Sequence, residues 1–209
     1  MTNEMRNNIK NKLKELNYKQ SLTFGYLLCK KLFPDYALFS EYEDFGKPDI
    51  LYSGLIALRK HISRANNEKQ IDNLTKELWE DEDITPDTDD FPGNISASLA
   101  LNSLSAMYHT LKYANIKEIE LIEKVSNLSL ESVTMFFVVN NNIDQNMPKE
   151  EYNQIINNSI FVQSEIQLQR NLIEKIQTIG QTTQRFYTKI RTNESKLVEN
   201  SLYSQFVYV

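Results

Sequence analysis

The stretch KQSLTFGYLLCKKLF, Lys19–Phe33, decides the fold. Leu22, Phe24, Tyr26, Leu27, Leu28, Cys29, Leu32 and Phe33 leave no continuous polar face at helical spacing. A helix that is apolar nearly all round belongs at the centre of a bundle, where neighbours cover every side. Proline disfavours helical geometry in the residue before it, so this helix is expected to stop before Pro34. Pro34 then opens a short helix, PDYALFSEYEDF, because a missing N–H costs nothing at the first helical position. Tyr36, Phe39 and Phe45 anchor that piece, and Gly46 is expected to cap it.

The flanking segments carry one apolar stripe each. Upstream, Glu4–Leu16 has Ile9, Leu13 and Leu16 on one face. Downstream, Pro48 opens Asp49–Ser63, with Leu51, Leu55, Leu58 and Ile62. Lys69–Glu80 follows with Ile71, Leu74, Leu78 and Trp79 as its buried set. Ile95–Lys112 presents Leu101, Leu104, Tyr108 and Leu111, with small residues between them that let helices approach closely. Ile116–Val125 reads as another helix, and Ser129 is expected to be the N-cap of Leu130–Val139.

From Pro148 onward, Ile155, Val162, Ile166, Ile173 and Ile176 recur at spacings of seven, four, seven and three. Continued to Arg191 this helix would span about 65 Å, too long for a compact domain, so a break is expected near Gly180. The five glycines and five prolines fall mostly between periodic segments, and alternation is confined to the terminal SLYSQFVYV. The pattern predicts an all-α, single-domain multi-helix bundle over residues 1–209. It has a long C-terminal helix broken near Gly180, and residues 192–209 form an irregular or partner-packed tail.

Composition narrows the function. The 209 residues are 41% apolar and 24% charged, as in globular proteins. A net charge of −5 argues against general nucleic-acid binding, which needs a basic surface. A single cysteine, Cys29, allows no intramolecular disulfide and fits a reducing compartment. The longest apolar runs, such as Met135–Val139, are far short of the roughly 20 residues a membrane span needs. Without a visible secretory signal, a cytoplasmic location with no membrane partner is expected.

The segment WEDEDITPDTDDF, Trp79–Phe91, holds seven carboxylates and no base. As a calcium loop it fails by position. A start at Asp81 puts Pro86 at the sixth site and Pro92 at the twelfth, where glycine and glutamate are needed. It reads better as a connection, with a stop at Thr85-Pro86, a dipole-favoured carboxylate at Asp89 or Asp90 near the start of the next helix, and Phe91 as an apolar anchor. The charge from Glu80 to Asp83 is surplus to that reading.

His61 and His109 belong to no zinc or di-iron spacing, and each borders an apolar stripe. Cys29 has apolar neighbours and no local base, so it reads as a packed, inert thiol. Phosphate-loop, nucleophile-elbow and dinucleotide motifs are absent. Glu120 and Glu123 read as an ordinary outer face. No catalytic, cofactor-binding or metal-ligating residue is therefore expected. Candidate partner-binding residues are Glu41, Asp44, Glu80, Asp81, Glu82, Asp83, Asp87 and Asp89.

The block LTFGYLLCKKLFPDYALFSEYEDFGKPDIL, through Cys29, Pro34, Tyr36, Phe39, Phe45 and Gly46, resembles the opening of the bacterial YjaG-like proteins, a family of unknown function. ITPDTDDF, with Pro86, Asp89, Asp90 and Phe91, is similar to a second family block. SEIQLQRNLIEKI, with Glu165 and Gln169, resembles a third, and ENSLYSQFVYV is similar to the family's C-terminus. The chain departs from the family at PGNISASLAL, where Ser96 and Leu99 replace an expected proline and aspartate. The resemblance implies an all-α fold, no known enzymatic activity and, through gene neighbourhood alone, a link to signalling.

Three functions are compatible with these observations. The first is a cytoplasmic, non-enzymatic protein–protein interaction module, either engaging a basic partner or forming a homo-oligomer. The second is an acidic immunity-type inhibitor of a basic toxin or nuclease, steered by charge. The third is an enzyme whose pocket folding assembles from His61, His109 and carboxylates such as Asp44.

Overall fold

The computed structural model describes residues 2–63, 66–86, 90–92 and 94–179. Among them the chain forms α1 (Thr2–Lys14), α2 (Tyr18–Glu43), α3 (Pro48–Ile62) and α4 (Glu68–Glu80). A 3-10 turn at Glu82–Ile84 follows, then α5 (Ile95–Ile116), α6 (Ile119–Asn140), α7 (Lys149–Asn158) and α8 (Ile160–Ile179). The fold is all-α, as the patterning predicts, and no strand occurs among the described residues. None of the described helices is long and apolar enough to cross a membrane.

α2 is the central helix. Asn17 starts it with a reciprocal capping box to Gln20, and residues 21–29 are buried without interruption. It packs chiefly on α5 and also touches α3, α6 and α8. Gly25 sets the closest approach. A Cβ there would lie 2.8 Å from Ile122 Cδ1 and 2.9 Å from Thr110 Cγ2. The small buried residues of α5 (Ala97, Ala100, Ser103, Ala106, Thr110 and Ala114) admit its neighbours.

Several element boundaries differ from the sequence reading. α2 does not stop before Pro34 but runs through it to Glu43. An internal proline costs about 3 kcal/mol. Tyr36 and Phe39, 0% and 1% exposed, each contribute about 1.5–3 kcal/mol by burial. Packing on both sides of the proline therefore outweighs the lost backbone bond. Asp44, not Gly46, caps the helix, in the left-handed conformation (φ 50°) with its N–H donating to Ser40 O.

α6 is continuous, so Ser129 caps nothing. It is fully buried in mid-helix. α5 starts at Ile95, as the pattern predicts, and Asn94 caps it, its side chain accepting from Ser96 N. Finally, the C-terminal pattern breaks at Ser159, between α7 and α8. Asn157, Asn158 and Ser159 are poor helix formers whose side chains compete for backbone groups. The expected break at Gly180 and the tail at 192–209 lie outside the described residues. Val162, Ile166, Ile173 and Ile176 are buried as their spacing implies.

Candidate functional site

Six of the acidic residues that the sequence points to, Glu41, Asp44, Glu80, Asp81, Glu82 and Asp83, lie at the C-terminal ends of α2 and α4. The corner after α2 and the turn after α4 are tied together by two residues. Lys47 Nζ lies 2.6 Å from Asp81 Oδ2 and 3.4 Å from Asp83 Oδ2. Buried Tyr36 donates its hydroxyl to Ile84 O at 2.6 Å and accepts from Lys47 N at 3.2 Å. The hydrogen bond to Lys47 holds the Asp81 carboxyl below its usual range, and the Lys47 ammonium is correspondingly raised by Asp81.

Beneath this corner Phe39, Phe45 and Phe91 meet edge to face, with centroids 5.0–6.0 Å apart. Phe91 is thus the apolar anchor that the sequence suggests. Gly46, at φ +88°, passes so close to Tyr36 that a Cβ would sit 2.6 Å from the phenol oxygen.

Asp81 is consumed by this architecture, since its other oxygen accepts from Asp83 N to start the 3-10 turn. Glu43 is consumed too, accepting from Asn94 Nδ2 at 2.7 Å. Glu41, Asp44, Glu80 and Glu82 are exposed, and Asp83 is 82% exposed despite its reach to Lys47. Asp87 and Asp89 lie outside the described residues.

The placement runs against helix electrostatics. A helix C-terminus carries partial negative charge and favours cations. Yet α2 ends in Glu41 and Glu43, α4 ends in Glu77 and Glu80, and neither has a base in its last turn. Trp79, expected in the buried stripe of α4, is instead 73% exposed. Its ring stacks on Tyr108 of α5 at 5.2 Å and 26°.

A second cluster lies inside the bundle, where α2, α6 and α8 meet. Lys31 Nζ is 2.5 Å from Glu165 Oε2 and donates to Ser129 Oγ at 3.0 Å. Ser129 and Gln169 both donate to Glu165 Oε1, at 2.7 and 2.9 Å. Ser126 donates to Gln169 Oε1 at 2.5 Å. One turn beyond Lys31, burial pushes the Asp35 carboxyl up to about 7, opposed by the Lys31 charge.

The cluster superficially resembles a serine–lysine nucleophile pair, but its polarity is wrong. Lys31 donates to Ser129, and Ser129 spends its proton on Glu165. The group that faces the hydroxyl is the Glu165 carboxylate, already ion-paired with Lys31, and Ser129 and Glu165 are 0% and 2% exposed, out of a substrate's reach. The arrangement is a satisfied polar core that docks α8. Glu165 and Gln169 were singled out by family resemblance. Lys31, Asp35 and the role of Ser129 are not legible in this way, because the partner of Lys31 is Glu165, 134 residues further along the chain.

The remaining titratable candidates are not brought together. His61 shares hydrogen bonds with Tyr18 (2.9 Å) and Asn67 (3.1 Å). His109 packs beside Tyr108, and burial lowers it to about 4, with Lys124 and Lys112 adding to the effect. Asp44 is at the acidic corner, with neither histidine. Cys29 lies 3.1 Å from Thr110 Oγ1, and burial pushes its thiol up to about 12. No group of three histidine, cysteine or carboxylate side chains able to hold a metal occurs among the described residues. An open cleft of about 290 Å³, lined by Ile95, Ser98, Met135, Val138 and Tyr152, has no histidine, cysteine, lysine, arginine or carboxylate among its lining residues.

A family model described as a protein of unknown function (DUF416) matches residues 8–199. The crystal structure of a DUF416 family protein from Shewanella baltica OS155 is similar, with 26% identity and a TM-score of 0.77. The alignment covers 89% of this chain and 92% of that one. No curated protein matches the sequence. The finer YjaG-like designation has no counterpart in these matches.

Proposed function

The chain belongs to the DUF416 family of proteins of unknown function, and from that premise we propose that it is a non-enzymatic, cytoplasmic helical module that docks a basic protein partner on its acidic end. The observation that carries this reading is the placement of Glu41, Glu77 and Glu80 at the negative ends of α2 and α4, with no basic residue in the last turn of either helix. Each such carboxylate costs the fold a few tenths of a kcal/mol. Stability therefore does not account for them, and exposed surplus charge of one sign steers a partner of the other.

Affinity capture from the native cell tests the proposal, using wild type beside a Glu41→Gln/Glu80→Gln/Glu82→Gln/Asp83→Asn variant. The expected result is a basic protein that binds wild type, is lost with the variant, and forms a defined complex with the purified chain by light scattering. A partner retained equally by both proteins, or none that reconstitutes, sinks it. An immunity-type inhibitor is a special case, distinguished by loss of the partner's own activity in the complex.

A further inference from the structure

We infer that the outer face of Trp79 seats an arginine side chain of the docked partner. The inference rests on the reading of the acidic end as the docking face. Apolar side chains on α4 are otherwise buried, with Ile71, Leu74 and Leu78 at 0%, 8% and 3% exposure. Trp79 alone turns outward. It is not a loose side chain, because Tyr108 of α5 backs its inner face. With one face stacked and the residue still 73% exposed, the other face is open.

Carboxylates outnumber bases around that face. Residues 77–83 carry five carboxylates and no base. The nearby lysines are engaged: Lys76 pairs with Asp72 at 3.0 Å, and Lys112 donates to Tyr108 OH at 3.2 Å, with its Nζ 5.4 Å from the ring centroid. An indole face bordered by carboxylates is chemically matched to a cation. A guanidinium fits better than an ammonium. It is planar and weakly hydrated, so it can stack on the ring while its edge pairs bidentately with a carboxylate such as Glu80 or Glu82.

Trp79 is the single tryptophan of the chain, so its emission reports this face alone. The experiment titrates the full chain, at low ionic strength, with nine-residue arginine and lysine homopeptides. Tryptophan emission and calorimetry are followed together. The arginine peptide is expected to change Trp79 emission saturably and to bind about 5-fold tighter than the lysine peptide, as one cation–π contact allows. Trp79→Leu should abolish that preference while leaving the helical circular dichroism unchanged. If both peptides bind equally well, or Trp79→Leu keeps the arginine preference, the arginine seat is wrong and the acidic docking face stands. If neither peptide binds by calorimetry, both readings fail.

Discussion

Removing Glu165 tests how α8 is held. The Glu165→Ala side chain no longer accepts from Lys31, Ser129 and Gln169, all of which donate to it. Breaking one side of a buried ion pair typically costs about 3–5 kcal/mol, because the orphaned charge stays desolvated. Here the Lys31 side chain retains 12% exposure, so its ammonium can reach some water and the cost belongs near about 3 kcal/mol. Replacing both partners by apolar residues, Lys31→Met with Glu165→Leu, leaves neither member of the pair orphaned, and the Asp35 carboxyl, without the Lys31 charge, stays protonated. Ser129 can then turn its hydroxyl to a carbonyl one turn back. That double variant should lie within about 1 kcal/mol of wild type. The cycle formed with the single variants should show a coupling of at least about 2 kcal/mol. An exposed control pair, Asp72–Lys76, should cost under about 0.5 kcal/mol. The assay is urea unfolding followed by circular dichroism at pH 7, accepted only where the denaturant slopes agree. A Glu165→Ala cost under about 1 kcal/mol, or an additive double variant, would refute the buried network.

Three further outcomes follow from particular contacts. Gly25→Ala should destabilise the fold by about 1–3 kcal/mol, since its Cβ would meet Ile122 and Thr110 below 3.0 Å; a neutral result in the same unfolding assay would mean that the α2 crossing is looser than described. Asp35 and His109 should give opposite pH slopes. The Asp35 carboxyl is raised from 3.8 to about 7, so its stabilisation is present below pH 3.8 and is lost as pH rises through 7. His109 is lowered from 6.5 to about 4, so its stabilisation is present above pH 6.5 and is lost as pH falls through 4. The two partly cancel in wild type. Asp35→Asn should unmask a fall in stability toward acid, and His109→Gln a fall toward neutral pH; parallel profiles for both variants and wild type would exclude these environments. Cys29, with its thiol at about 12 and fully buried, should resist a thiol reagent at pH 8 until urea unfolds the chain, and prompt labelling of native protein would contradict its placement.

The helical class was legible because burial follows apolar spacing, and the all-round apolar Lys19–Phe33 does lie at the centre. Local propensity misled at Pro34, where tertiary packing of Tyr36 and Phe39 overrides the backbone preference. It misled again at Ser129, whose hydroxyl reads as a cap until Lys31 and Glu165 are placed beside it. The intervals of seven in the C-terminal pattern contained more information than their apolar members. Ser159 and Gln169 fill the skipped positions and are 4% and 1% exposed. One breaks the helix, and the other joins the polar core. Trp79 escaped because its position beside Leu78 says nothing of which neighbour is long enough to cover it. The acidic end was visible as composition, but the contacts of Lys47 and Tyr36 that join its two corners were not.

The central claim is that the exposed carboxylates of this end serve binding at some cost to stability. The most direct measurement compares thermal unfolding and partner affinity for one variant, Glu41→Gln/Glu77→Gln/Glu80→Gln. Relieving three carboxylates at helix C-termini should raise Tm by a few degrees at low salt, and the same change should weaken a captured basic partner by about tenfold. A variant that melts lower than wild type, or binds the partner undiminished, would contradict the account.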